Sequence, residues 1–462
     1  MAFLVSLGVA VGFLCVLCSF FRRWNELRYW RRGLPPGTMG WPVVGDTIEF
    51  LRRGPDFMKK YGSLFTSHLL GSPCRERGAL HVNRWILMNE EKGLVPGYPR
   101  AMAELLGEWN VTAVQGAAHR VVRGAMLSAV GPVAVRERFF PTLDEFIRSH
   151  LCEWGAGGAI VDVQEKAREM VFSLALRLIA GIETGETAAE LKAEFFKLLR
   201  GTLSLAVALP GSAYRRGLQA RNRITRFLRA LIEERRRWRR SPSAPKGSSD
   251  ILDLLLREEE EGEQEQEHHQ TRPKLTEDQM IDLLIAIMVA GFDNVYATAM
   301  MAIKYLYDHP SALQELRHSE IRRRKSSPDE ALTWGDYTSM GFTRAVILET
   351  MRLATIVNGL MRKTTDDIPI NGFVVPKGWK IYVHTREANY DSLRNLEKHQ
   401  YFMLFGCGGR LCPGKELSMV QLSLFLHHFL IKYRWEEAGG DKIAYFPRVE
   451  APRGLRMRLW TN

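Results

Sequence analysis

The stretch Phe405-Gly406-Cys407-Gly408-Gly409-Arg410-Leu411-Cys412-Pro413-Gly414 constrains this chain more than any other. It sets one cysteine between a glycine-rich loop and an apolar helical run, Leu417 to Phe429. A thiolate needs positive potential to stay ionised, and a helix start supplies unsatisfied N–H groups and a partial positive charge. Gly406, Gly408 and Gly409 let backbone approach a large flat ligand where a side chain would intervene. Arg410 suits a carboxylate and Phe405 an apolar face. Haem, with a flat face, an axial iron position and two propionates, matches that set, and a cysteine ligand favours O–O cleavage. Two other readings use the same residues: a buried structural cysteine, or a zinc or disulfide site shared with Cys407. Neither accounts for the Phe, Gly and Arg spacing.

The chain has 462 residues and only six cysteines, scattered from Cys15 to Cys412. That is too sparse for a disulfide framework and fits a reducing compartment. Ala2 to Phe21 is uncharged and long enough to cross a bilayer as one helix, and Arg22, Arg23, Arg28, Arg31 and Arg32 follow it. By the positive-inside rule the remainder faces the cytosol. A cleaved signal peptide is the alternative, though no basic region precedes the apolar stretch and no small-x-small site closes it. The sequence therefore predicts a membrane anchor over 1–21, a basic, Pro/Gly-rich hinge over 22–45 and a catalytic domain over 46–462. The formal charge of +12 does not point to nucleic acid, because no nucleic-acid module accompanies it. A basic surface facing an anionic membrane or an acidic redox partner explains it better. Arg235 to Arg240 and Glu258 to Glu267 read as solvated helix ends around the loop Ser241 to Ser249, with His268 and His269 exposed beside them.

Short strands are expected over Gly62 to Asn83 and Arg84 to Met88, then mostly helix from Pro99 to His309. Thr276 and Gln279 form a capping box opening a helix that is apolar on nearly every side and extends to Asp308. A helix over Gly341 to Ala354 precedes a hairpin region, Arg362 to Tyr382, punctuated by Asn371-Gly372 and Pro376-Lys377-Gly378. The fold class is mainly α with small β-sheets, one long helix running through the middle.

Asp293 and Asn294 interrupt that apolar helix, directly after Ala290-Gly291-Phe292. Charge there is expensive unless it faces a cavity or is paired. Gly291 thins the helix, so a ligand can lie against its backbone; the competing reading is a core aspartate satisfied by a salt bridge. Glu349 and Arg352 share a helix face and suit a supporting ion pair. His119 and Arg123, four apart, could both face a propionate or merely form a solvent face. Leu203 to Leu209, before Pro210-Gly211 and Arg215-Arg216, reads either as a lipid-dipping lid or as a plain connection packed on the globule.

Phe405-x-x-Gly408-x-Arg410-x-Cys412-x-Gly414, with Glu349-x-x-Arg352 and Ala290-Gly291-x-Asp293 upstream, resembles the cytochrome P-450 monooxygenases, in the family's motif order and over essentially the whole chain. That resemblance implies the P-450 fold, with the long helix crossing a b-type haem ligated by Cys412. It also implies an endoplasmic-reticulum anchor, a single pass with the catalytic domain cytosolic, and electrons from an NADPH–cytochrome P-450 reductase. The stretches Leu34–Pro42, Gly93–Pro99, Val357–Thr364, Tyr433–Glu437 and Phe446–Pro452 are similar to the plant brassinosteroid C-6 oxidases, which convert 6-deoxo steroids to 6-oxo steroids. A steroid substrate follows, with Ala290, Gly291, Val357, Asn358, Gly359 and Leu360 expected to line its pocket.

Three positions depart from the family. Asn294 replaces the usual threonine after the acid, exchanging a hydroxyl that accepts and donates for an amide. The stretch between Asp391 and Arg394 is short, with Arg394 resuming the pattern as third member of the Glu349–Arg352 triad and Asn395 replacing an aromatic. His119 replaces the tryptophan of the propionate motif. Another sterol or terpenoid hydroxylase, or a catalytically impaired haem- or sterol-binding protein, are the alternative functions.

Overall fold

In the computed structural model the Thr276 hydroxyl accepts the Gln279 N–H at 3.3 Å and the Gln279 side chain accepts the Thr276 N–H at 2.9 Å. This reciprocal cap starts a helix over Glu277–Asp308, about 48 Å long at 1.5 Å per residue. We call it the central helix. It is long and apolar enough to cross a membrane, but 78% of its apolar window is buried inside the protein, so it is a core helix. The structure describes residues 2–462 apart from 43, 55–63, 70–71, 78–79, 156, 184, 242–249, 268–273, 323–330, 386–401 and 440–441. They divide into one unit of Met1–Pro99, Asn358–Ala388 and Cys407–Gly409, and a second of Arg100–Val357, Asn389–Gly406 and Arg410–Asn462. That division differs from the expected boundary at 45/46: the N-terminal helix and hinge share the first unit with a sheet.

The described strands are β1 (Leu64–Leu69), β2 (Ser72–Arg77), β3 (Leu94–Pro96), β4 (Ala159–Asp162), β5 (Gly359–Thr364), β6 (Ile368–Ile370), β7 (Phe373–Val375), β8 (Lys380–His384), β9 (Tyr433–Glu437) and β10 (Arg456–Thr461). The first unit carries a five-stranded sheet ordered β1-β2-β8-β5-β3 and the hairpin β6-β7. Asn371 and Gly372 both take positive φ in the hairpin turn, as the sequence expects. Arg84 to Met88 does not extend as a strand. Leu80–Met88 is a helix, because Val82, Asn83, Ile86 and Leu87 are the buried positions and their spacing is helical, not alternating.

The N-terminal helix spans Ala2–Tyr29, past the expected anchor boundary at Phe21, since no glycine or proline lies between Phe21 and Gly33. Val9, Val11, Phe13, Leu14, Val16 and Phe20 are exposed along it. The remainder of the hinge is stitched down instead of loose. Asn25 Nδ2 donates to the Met39 carbonyl at 2.8 Å, Thr38 N–H to Thr66 O at 3.1 Å and Thr66 N–H to Pro36 O at 2.9 Å.

The second unit packs helices around the central one, the main neighbours being Val163–Ala180, Gly341–Ala354 and Lys415–Lys432. Its three-stranded sheet runs β4-β10-β9. Part of the basic run pairs with acidic residues after the loop, while Arg237, Arg240 and Glu258 stay exposed. Arg235 Nη1 lies 2.9 Å from both Asp250 and Asp253, and Arg236 and Arg239 reach Glu259 and Glu260. Residues 242–249, His268 and His269 lie outside the described residues. Asp282, 4% exposed on the central helix, accepts the Trp109 N–H at 3.0 Å and pairs with Arg221, which also donates to the Leu105 carbonyl. A Cβ on Gly107 would fall 2.1 Å from that carboxyl carbon, so only glycine lets the 107–109 turn close on it.

Removing one partner of a buried pair strands the other charge. Asp282→Ala is therefore expected to lower stability by about 3 kcal/mol, the low end for such losses because Arg221 stays partly solvated. Urea unfolding followed by tryptophan fluorescence measures it, with Asp278→Ala on the exposed first turn shifting the midpoint little.

Candidate active site

Gly414 caps the helix Lys415–Lys432, which places Cys412 just outside the first turn. The Cys412 N–H donates to the Phe405 carbonyl and the Gly406 N–H to the Met403 carbonyl, both at 2.9 Å, closing the loop. Phe405 is buried, with the Lys415 ammonium 5.7 Å from its ring centroid. Two guanidinium groups hold the segment after it. Arg410 donates to the Val111 carbonyl and, at 2.6 Å, to the Val114 carbonyl. Arg123, on the helix Gly116–Val130, donates to the Leu411 carbonyl at 2.7 Å. His119 lies one turn earlier on the same helix and is half-buried.

Burial pushes the Cys412 thiol above its ordinary range, against the opposing pull of the Gly414 N–H, Arg123 and Lys415. Protein groups alone do not hold a thiolate here; a bound metal ion would, since coordination deprotonates a thiol outright. The donor set fits haem in that respect and in its cations. Arg410 and Arg123, expected on carboxylates, spend donors on backbone carbonyls, but each guanidinium carries five N–H groups and keeps some spare. Among the described residues no three His, Cys, Asp or Glu side chains are grouped to hold a metal ion. Cys407 and Cys412 are both free, so neither the zinc nor the disulfide reading has a site.

The loop glycines differ in what surrounds them. Gly408 has φ +67°, and a Cβ there would meet Met88 Sδ at 3.2 Å and Leu87 O at 3.3 Å. Its constraint is close packing within the first unit. Gly409 and Gly414 have nothing within 4 Å of such an atom; Gly414 serves as the helix cap.

On the central helix Ala290 is exposed although Met280 to Val289 are buried, and a Cβ on Gly291 would meet no atom within 4 Å. The helix face open to a flat group is therefore the one the sequence singles out. Asn294 Nδ2 donates to the Ala290 carbonyl at 3.3 Å and Thr298 Oγ1 to the Asn294 carbonyl at 2.7 Å. Asp293 is not solitary: its Oδ2 lies 2.9 Å from Arg448 Nε. Burial raises the proton affinity of this carboxyl and Glu450 adds to the rise, while Arg448, Arg168 and the Tyr296 hydroxyl oppose it. Arg448, Arg168 and Tyr296 escape sequence reasoning. Arg448 lies 155 positions beyond Asp293, inside a stretch marked only by its subfamily resemblance.

Glu349 and Arg352 form a two-point pair, Nε–Oε2 and Nη2–Oε1 both 2.7 Å, and are half-buried. Arg394, Asn395 and the 391–394 connection lie outside the described residues. Val357 ends one segment of the second unit, while Asn358, Gly359 and Leu360 belong to the first unit. There a Cβ on Gly359 would strike the Tyr382 ring at 2.4 Å.

Residues 35–449 match the family model Cytochrome P450. The chain is 50% identical over 478 residues to cytochrome P450 85A1 of Solanum lycopersicum, covering 99% of each chain. It is 47% identical to cytochrome P450 85A2 of Arabidopsis thaliana, covering 98% of each, and 34% identical to cytochrome P450 90D2 of Oryza sativa subsp. indica, over 92% of this chain and 89% of that one. The tomato match is longer than the chain, so the relative has residues without a counterpart here. Among solved structures, the retinoic acid-bound cyanobacterial CYP120A1 superposes with TM-score 0.80 at 23% identity, covering 93% of this chain and 99% of that one. That likeness establishes the fold.

Cys412→Ser should abolish the long-wavelength Soret band of the reduced carbon monoxide complex, while Cys407→Ser keeps it. A retained band in Cys412→Ser would place the axial ligand elsewhere.

Proposed function

The chain belongs to the cytochrome P450 family, and from that premise we propose that it oxidises C-6 of 6-deoxo brassinosteroid precursors, of the 6-deoxocastasterone type, to the 6-ketone. It is an oxidoreductase, a monooxygenase with a haem-thiolate cofactor. The observation that carries the substrate is full-length identity of 47–50% to the 85A cytochromes of tomato and Arabidopsis against 34% to the 90D2 protein of rice. The subfamily-like stretches Val357–Thr364 and Phe446–Pro452 lie outside the haem motifs and add to it.

In this reading Cys412 would ligate the haem iron, held at the helix start by the Gly414 cap and by the carbonyl clamps of Arg410 and Arg123. Haem bound there supplies the iron at which dioxygen is reduced for C–H oxidation. The spare N–H donors of Arg410 and Arg123, with His119, would hold the propionates, and Phe405 and Gly408 would shape the cysteine loop. Ala290 and Gly291 leave room on the far side, where Asn294 orders water and Asp293 exchanges protons with it. Glu349 and Arg352, as an ion pair, support the cysteine loop in this reading. Val357, Asn358, Gly359 and Leu360 contact the steroid. Two successive oxidations of C-6 turn the methylene into an alcohol and then a ketone.

The same reading places 1–21 in the endoplasmic-reticulum membrane as a single-pass anchor, with the catalytic part in the cytosol taking electrons from NADPH–cytochrome P-450 reductase. Arg22, Arg23, Arg28, Arg31 and Arg32 set that orientation. Exposed Leu205, Val207 and Leu209, next to Arg215 and Arg216, support a second lipid contact through which a sterol is admitted.

Reconstituted with reductase, the protein should convert 6-deoxocastasterone to the 6-ketone, detected by mass spectrometry. Absence of product alongside a normal thiolate Soret band would favour the haem- or sterol-binding alternative. Asp293→Asn should lower turnover by about 10²-fold, the low end for loss of a positioned proton-transfer group, with the steroid-induced spectral shift retained.

A further inference from the structure

Arg448 touches more than Asp293. Its Nε faces Asp293 Oδ2 at 2.9 Å, while Nη2 donates to the Leu199 carbonyl at 3.0 Å and Thr202 Oγ1 at 3.2 Å. Leu199 and Thr202 end the helix Glu186–Thr202, directly before the exposed apolar segment 203–209. One guanidinium thus bridges the carboxylate in the middle of the central helix and the last turn of the helix beside the apolar loop.

The side chain has a rigid base. Ala444 and Glu450 exchange backbone hydrogen bonds at 2.8 and 2.9 Å, making a tight loop with Arg448 inside it. Buried Gln164 then clamps Ala451 through both its N–H and its carbonyl at 2.8 Å. The charged groups around Asp293 are Arg448, Arg168 and Glu450, with the Tyr296 hydroxyl. Arg168 stacks 4.9 Å above Tyr296 and donates to its hydroxyl at 3.3 Å and to Glu450 at 3.4 Å. Two cations therefore face two carboxylates. With Arg448 withdrawn, Arg168 alone serves both acids, and Asp293 holds its proton to higher pH.

We infer that Arg448 is a positioning residue for proton delivery, fixing the Asp293 carboxylate only while the end of the helix Glu186–Thr202 is docked on its other face. Opening of the lid beside that helix then slackens the proton-handling carboxylate, and closing resets it. A helix C-terminus is a natural dock for this, because its last carbonyls are unsatisfied and carry partial negative charge. The inference rests on Asp293 handling protons as proposed above.

The test uses full-length protein with reductase and 6-deoxocastasterone, comparing wild type, Arg448→Gln, Arg448→Lys, Thr202→Val, Asp293→Asn and the double variant Arg448→Gln/Asp293→Asn. Each is first checked for the thiolate Soret band; should Arg448→Gln fail to hold haem, Arg448→Lys and Thr202→Val carry the test. Arg448→Gln should keep the steroid-induced spectral shift, yet lose about fivefold in product per NADPH with a matching rise in hydrogen peroxide. The acid-side limb of its pH–rate profile should move to higher pH. Thr202→Val, which does not touch Asp293, should move coupling the same way by about twofold, and the double variant should be no worse than Asp293→Asn, as residues acting as one unit are non-additive. Hydrogen exchange over 186–202 should rise in Arg448→Gln and Thr202→Val but not in Asp293→Asn.

Unchanged coupling in Arg448→Gln and Arg448→Lys, or additive losses in the double variant, overturns the inference. So does exchange over 186–202 that ignores both Arg448→Gln and Thr202→Val. Wild-type coupling in Asp293→Asn would sink the parent reading of Asp293 itself, independently of what Arg448 does.

Discussion

The central helix carries two carboxylates within its apolar stretch, Asp282 buried and Asp293 half-buried, and much of the larger unit is arranged to answer them. Asp282 and Asp293 sit eleven residues apart, three turns, on a helix otherwise lined with Ile, Leu, Met, Val and Ala. An unpaired carboxylate in such surroundings would cost more than any neighbouring apolar contact returns. Each is met by an arginine from a distant part of the chain, Arg221 for Asp282 and Arg448 for Asp293. Neither arginine serves the carboxylate alone: Arg221 also holds the Leu105 carbonyl and Arg448 the Leu199 carbonyl. Neutralising the core helix thereby fixes the ends of two other helices beside it. Charge burial, usually a liability, becomes the means by which the segments around this helix are located.

The cysteine loop is held on a different principle. Its fixed points are backbone carbonyls gripped by guanidinium groups, Val111 and Val114 by Arg410 and Leu411 by Arg123. A carbonyl clamp sets position without cancelling the cation, so Arg123 still acts on the Cys412 sulfur. That matters because burial alone would keep the thiol protonated. The positive potential is sufficient to favour a ligand thiolate once iron is present and too weak to leave a free thiolate exposed to oxidation without it.

What could be read from the chain followed local rules. The Thr276–Gln279 cap, the central helix ending at Asp308, the helix Gly341–Ala354 and the Asn371-Gly372 turn depend on residues within a few positions of one another. Leu80–Met88 departs from the expected strand because its state is set by partners elsewhere in the chain, and the hinge likewise takes its fixed points from distant residues. Asn25 finds Met39 across fourteen residues, and buried Asn83 finds the His384 carbonyl across 301. Cys412, Arg410, Arg123 and Asp293 were legible as chemistry, because an ionisable group in an apolar or glycine-rich setting declares itself. Their partners were not. Nothing about Val111, Val114 or Arg448 marks them locally, although Arg410 holds the carbonyls of the first two and Asp293 pairs with the third.

Asn294 gives the pairing of Asp293 its weight. A threonine at that position would contribute a hydroxyl able to accept one proton while donating another; an amide nitrogen only donates, and here it donates to the Ala290 carbonyl of its own helix. The amide oxygen remains as an acceptor, sufficient to order water but not to pass a proton along. In the proposed reading the neighbouring carboxyl of Asp293 is the group that takes up and releases one. A lone buried carboxyl would sit protonated and inert, whereas one fully locked by a cation would never accept a proton. Asp293 is held between those limits: burial and Glu450 press it toward the neutral acid, while Arg448, Arg168 and Tyr296 hold it toward the anion. In the proposed role this carboxyl's protonation depends on where those neighbours sit, and Arg448 is the one that also holds the end of another helix.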